Sequence, residues 1–241
     1  ALDANLHALR AGMDAAAGIA DFARLAPAPA GEPGRQAQRW QISGNEAAGF
    51  GAIRGGVRFV AAYPITPASE VLHEVARYRH FGVKTFQAED EIAAMGATIG
   101  AAYGGALALT GTSGPGVALK TEAMGLAVMT ELPMVIVNVQ RGGPSTGMPT
   151  RTQQADLVSC AYASHGDTKH ICLFPSTPKE CFEMTATAFD LAERFQTPVI
   201  VLSDLDLGMN DNMTEPFEWD DTRRYDRGKV FTEEDLENMK E

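Results

Sequence analysis

Four short stretches of the chain combine residue types and spacings that could do chemistry. The first, Gln87-Ala-Glu-Asp-Glu-Ile-Ala-Ala-Met95, sets Glu89, Asp90 and Glu91 at a helix start, where the helix dipole favours negative charge. A carboxylate held there and partly desolvated would be suited to sharing a proton. The second, Gln140-Arg-Gly-Gly-Pro-Ser-Thr-Gly-Met-Pro-Thr-Arg151, puts Arg141 at a strand end, where a guanidinium suits a bidentate grip on a carboxylate. The third, Thr110-Gly-Thr-Ser-Gly-Pro-Gly116, is a glycine-rich turn whose N–H groups could cradle an anion or lie flat against a planar ring. It has neither the lysine of a phosphate-binding Walker loop nor the GxGxxG spacing. The fourth, Ala62-Tyr-Pro-Ile-Thr-Pro-Ala-Ser-Glu70, is stiffened by Pro64 and Pro67, and Thr66 or Ser69 could cap the helix behind it. Each stretch has a plain structural reading too: dipole-matched acids, a flexible surface arginine, and two rigid strand-to-helix turns.

Nothing else in the sequence competes. His7, His73, His80, His165 and His170 show no metal-ligand spacing, and Asp204, Asp206, Asn210 and Asn212 read as part of an acidic linker. Cys160, Cys172 and Cys181 are unclustered. That excludes a self-contained CxxC-type zinc or iron–sulfur centre in this stretch and suits a reducing, cytoplasmic setting. The net charge of −11 over 241 residues argues against a nucleic-acid footprint and against a surface drawn to anionic lipid. No window approaches the ~20 apolar residues of a membrane span. The chain starts at Ala1, which leads us to expect a piece of something longer.

The elements that must position these loops alternate. Strands are expected at Arg58–Tyr63, Lys84–Gln87, Ala106–Thr110, Met134–Val139, His170–Phe174 and Val199–Leu202. Helices are expected near 44–55, 68–79, 89–103, 117–130, 152–163 and 178–195, which predicts an α/β fold with a mostly parallel sheet covered on both faces. In such sheets ligands sit at the carboxyl ends of the strands, where all four loops fall. Gly96, Gly100 and Gly104 recur on one face of the 89–103 helix, as a tightly packed core helix or a subunit interface would require. Residues 1–25 read as a helical tail of a preceding domain, 26–40 as a Pro/Gly-rich linker, 41–205 as the main domain and 206–241 as an acidic connector.

Taken together and in this order, Tyr63-Pro-Ile-Thr-Pro67, Gln87–Ala94, Gly111-Thr-Ser-Gly-Pro-Gly116 and Arg141-Gly-Gly-Pro-Ser-Thr-Gly147 resemble the α subunit of 2-oxoacid:ferredoxin oxidoreductases. The likeness runs over about 41–205 and is strongest to the 2-oxoglutarate enzymes, through Glu89–Ala94. It implies a pyrimidine-binding domain for thiamine diphosphate, with a γ-like tail fused ahead of it. The cofactor would be shared with a β subunit that supplies the diphosphate anchor, Mg²⁺ and a 4Fe-4S cluster, since this chain has neither Gly-Asp-Gly with a downstream Asn nor the cysteines. The implied reaction converts 2-oxoglutarate and CoA to succinyl-CoA and CO₂ while reducing ferredoxin. By resemblance Glu91 activates the pyrimidine, Arg141 holds the substrate's 1-carboxylate, and Thr66, Thr146 and Thr150 line the substrate side. Pro64, Thr112, Ser113 and Gly114 would contact the cofactor. Alternatives stay open: pyruvate or a branched-chain 2-oxoacid as substrate, a nucleotide-binding module built on the 111–116 turn, or a partner subunit without catalytic residues.

Overall fold

A computed structural model describes residues 2–19, 38–228 and 231–239. In chain order the elements are α1 (Leu2–Ala17), β1 (Trp40–Ser43), α2 (Gly44–Arg54), β2 (Phe59–Ala62), α3 (Ser69–Arg77), β3 (Lys84–Gln87), α4 (Glu91–Tyr103), β4 (Ala108–Thr112) and α5 (Gly114–Met129). After them come β5 (Met134–Gln140), α6 (Leu157–Ala161), β6 (Ile171–Leu173), α7 (Pro178–Phe195), β7 (Pro198–Asp204), α8 (Leu205–Met209), β8 (Asp211–Thr214) and α9 (Glu233–Asn238).

The six expected strands form one parallel sheet in the order β3-β2-β4-β5-β7-β6. Every residue of the central β4, β5 and β7 is buried, as both faces are covered by helices. Side-chain alternation divides β5 between two cores. Val135, Val137 and Val139 join Val71, Val75 and Phe189 on one side. Met134 and Ile136 join Met95, Val117 and Met124 on the other. The helices α2 and α7 approach closely because Gly51 faces the Phe182 backbone, where a Cβ would lie 2.3 Å from a carbonyl oxygen. Ser43 and Glu46 form a capping box that starts α2, and Thr177 with Pro178 starts α7.

Several boundaries differ from expectation. The strand expected at Ala106–Thr110 runs Ala108–Thr112, and the following helix begins at Gly114 because Pro115 is accepted in a first turn. Only Leu157–Ala161 of the 152–163 helix is helical. At the sheet edge, β3 is exposed at all four positions rather than buried. The segment after residue 205 is not an extended connector: β8 pairs antiparallel with β1, which sequence reading missed. Farther on, Phe217 is buried, stacked on Phe182 at 4.8 Å and edge-on to Trp40 at 5.2 Å. Residues 38–241 accordingly cluster as one unit, whereas α1 belongs to a separate unit, 1–37, and buries none of its residues. The 26–40 linker falls mostly outside the described residues. Among the described residues no helix is long and apolar enough to cross a membrane.

Candidate active site

Register brings the four loops to one edge. Ala62 pairs with Gln87 and Thr112 with Asn138, so the segments after β2, β3, β4 and β5 all leave the carboxyl side of the sheet. There the structure builds two clusters.

The first surrounds Glu91. Asp90 caps α4 from an extended conformation, its Oδ1 accepting the Ala93 N–H at 2.7 Å, which leaves Glu91 as the first helical residue. Glu91 is only 8% exposed, although it stands beside the open Glu89 and Asp90. Gly116, in the first turn of α5, explains how: a Cβ there would lie 2.0 Å from Thr112 Oγ1 and 2.9 Å from Glu91 Cγ. Among the described residues no donor reaches the Glu91 carboxylate. Next to it, Ser113 caps α5 without a side-chain hydrogen bond, and its buried Oγ has no partner. The fully buried Lys120 donates from Nζ to the Glu91 backbone carbonyl at 2.8 Å. Burial pulls its pKa down to about 8, against the attraction of Glu91 and Asp90.

The second cluster is centred on Arg141, the first residue past β5, which is 6% exposed. Its Nη1 donates to the Thr66 carbonyl at 2.5 Å and its Nη2 to the Thr146 carbonyl at 2.9 Å, while Nε is buried without a partner. The guanidinium thus clamps the 63–67 and 141–151 loops together, each containing a cis X-Pro peptide, Thr66–Pro67 and Gly143–Pro144. This differs from an arginine whose fork is wholly free for a ligand: one N–H on each terminal nitrogen is already used. Asn45 anchors the first loop by donating to the Pro67 carbonyl at 2.7 Å. Neither Thr66 nor Ser69 caps α3; Ala68 holds that position without a side-chain bond.

Of the residues singled out from sequence, Glu91, Thr112, Ser113 and Gly114 meet at the head of α5, and Arg141, Thr66 and Thr146 meet across two loops. Pro64 and Thr150 lie exposed on those loops. Sequence reading missed Lys120, Asn138 and Asp156. Asn138 donates to Asp156 Oδ2 at 3.1 Å, and that oxygen would lie 2.8 Å from a Cβ on Gly114, so Asp156 stands over the glycine-rich turn. A polar residue inside an apolar strand, and a lysine four after Gly116 on an apolar helix, were the available signals.

Burial pushes the Cys160 and Cys181 thiols up to about 12. His170 shares a 2.9 Å hydrogen bond with Ser164 and is buried. Among the described residues no cluster of His, Cys, Asp or Glu could hold a metal ion. A polar cleft of about 520 Å³ opens nearby at the ends of β5 and β7, lined by Gln140, Thr152, Gln154 and Asp204 but by none of the candidate residues.

Comparison with known proteins gives a consistent family. Residues 50–235 match the family described as pyruvate flavodoxin/ferredoxin oxidoreductase, thiamine diphosphate-binding. A 2-oxoglutarate oxidoreductase subunit KorA of Mycobacterium tuberculosis is 50% identical over 182 residues, covering 73% of this chain and 27% of that protein. A 2-oxoglutarate synthase subunit KorA of Methanothermobacter marburgensis is 49% identical over 181 residues, covering 74% and 48%. The solved 2-oxoglutarate:ferredoxin oxidoreductase of Magnetococcus marinus, with 2-oxoglutarate, coenzyme A and succinyl-CoA bound, superposes with a TM-score of 0.82 at 41% identity. That match covers 92% of this chain and 39% of the solved one. The chain therefore spans between about a quarter and a half of the length of these relatives.

Proposed function

Because the chain belongs to the thiamine diphosphate-binding family of pyruvate flavodoxin/ferredoxin oxidoreductases, we propose that it forms the pyrimidine-binding part of a 2-oxoglutarate:ferredoxin oxidoreductase α subunit. The oxoacid is decarboxylated and its acyl group passed to CoA, giving succinyl-CoA and CO₂, while ferredoxin takes the electrons. The names of the relatives support this substrate, and a β subunit would supply the 4Fe-4S cluster, Mg²⁺ and the diphosphate anchor, as the resemblance implies. A cytoplasmic setting suits a partner such as ferredoxin.

One observation carries the reading: a nearly buried carboxylate, Glu91, that no group of the chain hydrogen-bonds among the described residues, beside the orphaned Ser113 hydroxyl. Those groups fit the nitrogen-rich edge of an aminopyrimidine. When bound, thiamine diphosphate supplies an acidic carbon that adds to the oxo group and accepts the electron pair left by CO₂. Glu91 holds or takes the proton at the pyrimidine ring nitrogen, which requires a carboxyl and not an amide. The Thr112–Gly114 turn would contact the ring beside Glu91, next to the Asp156 carboxylate that stands over Gly114. Pro64 stiffens the loop facing it. Arg141 offers Nε and its two unspent N–H groups to the substrate's 1-carboxylate, with Thr66, Thr146 and Thr150 around it.

Calorimetric titration of thiamine diphosphate, with Mg²⁺, into the full protein with and without its β subunit tests the shared site. Binding is expected only with both, together with ferredoxin reduction faster with 2-oxoglutarate than with pyruvate. Tight binding by the α subunit alone would overturn the shared site, and a preference for pyruvate would overturn the substrate.

A further inference from the structure

Lys120 is among the largest fully buried side chains of the described residues, and the mechanism above does not use it. It lies four residues after Gly116, on the face of α5 against which the head of α4 is pressed. Its Nζ donates to the carbonyl of Glu91 and, among the described residues, to nothing else. A buried ammonium with one neutral acceptor costs more than a methionine or leucine of similar volume would, so stability does not account for it. What it touches does. Glu91 is the first residue of α4, where a helix frays most readily, and its carboxylate must meet a ligand atom at a fixed place. A donor reaching across from α5 pins that residue from its backbone side, and Glu91 and Asp90 are the charges that oppose the lowering of the lysine's pKa among the described residues.

We propose that Lys120 is a positioning residue for Glu91: its hydrogen bond to the Glu91 carbonyl locks the head of α4 onto α5. The carboxylate is thereby presented to the pyrimidine nitrogen in one place. The inference rests on the thiamine diphosphate reading of the site.

Lys120→Met keeps most of the side chain's length and volume without donor or charge. In the full protein assembled with its β subunit and loaded with thiamine diphosphate, hydrogen–deuterium exchange at the cofactor's C2 should fall ~10- to 100-fold, the scale of an ångström's misplacement. Cofactor affinity should change no more than a few-fold. The double variant E91Q/K120M should be no slower than E91Q, because the effect passes through Glu91. In the cofactor-free protein, amide exchange in residues 90–95 should quicken while residues 117–129 keep their protection; a mere packing defect would loosen both helices. Multiplying losses in the double variant, or unchanged exchange in residues 90–95, would overturn the proposal. Should K120M fail to assemble, K120L, which likewise lacks donor and charge, is put through the same measurements, with the same results deciding. If the wild type does not bind thiamine diphosphate at all, the functional reading falls, and the amide exchange alone still decides whether Lys120 holds Glu91.

Discussion

Glu89 and Glu91 stand two residues apart and differ in surroundings: Glu89 is exposed, whereas Glu91 lies under the first turn of α5. Glu91→Gln should retain assembly and most cofactor affinity yet lose at least about a hundred-fold in C2 exchange, because an amide cannot carry the shared proton. Glu89→Gln should lose far less; NMR of the acid-quenched cofactor compares the two, and a larger defect at Glu89 would reassign the carboxylate. Lys120 gives a pH signature. Burial lowers its pKa from 10.5 to about 8, so between those values the unfolded chain binds the proton that the folded chain has released. The lysine's contribution to stability should therefore rise with pH across that window and be at its least favourable below about pH 8. Relative to Lys120→Met, wild-type unfolding free energy should gain roughly 3 kcal/mol from pH 7 to pH 10.5, read by denaturant titration. A difference that stays flat would mean Lys120 has an ordinary pKa.

Among the elements, α5 matters through what its first turn omits. Gly116→Ala would drive a methyl into Thr112 Oγ1 and Glu91 Cγ, so the two helices must separate or Glu91 must swing out. Overpacking of this kind costs ~1–3 kcal/mol. Activity should fall further than stability does, a comparison that thermal melts and ferredoxin reduction supply. Arg141 works between elements. Lysine lacks the planar fork whose two nitrogens reach the Thr66 and Thr146 carbonyls, so Arg141→Lys should raise the oxoacid KM ~10- to 100-fold and loosen both loops, leaving CoA kinetics little changed. Phe217→Ala tests the ribbon of β1 and β8, since Phe217 wedges between Trp40 and Phe182. A loss of ~3–5 kcal/mol by chemical denaturation is expected if that segment is part of the core.

For the whole molecule, the informative surface is the outer side of α4 and α5. Both helices are apolar nearly all round, yet Ile92, Gly96, Gly100, Tyr103, Leu119, Leu126 and Met129 are exposed. Among the described residues, nothing outside α4 itself lies within 4 Å of a Cβ built on Gly96 or Gly100. The glycine stripe is therefore not packed into the core of the described residues, and we propose that it meets a partner. Gly100→Leu should therefore keep the melting temperature of this subunit and weaken its association with the β subunit, seen as a shift in sedimentation. An intact assembly with a collapsed melting temperature would return the stripe to the core.

What the sequence determined by itself was local or periodic. Apolar runs of strand length separated by helical stretches specified a parallel sheet, and its chirality and loop rule specified which ends carry chemistry. The residue types in Gln87–Met95 and Gln140–Arg151 pointed to a carboxylate and a guanidinium at that edge. Tertiary structure alone decided which acid is sheltered, because shelter depends on Gly116 and Thr112 arriving from another strand–helix unit. It alone showed Arg141 bound to two carbonyls, Lys120 under Glu91, and β8 beside β1 across some 170 positions of sequence. Residue type and period describe how a segment can fold and what it could do. Burial, and the partner a polar atom meets, are properties of the space between segments, and no local pattern encodes them.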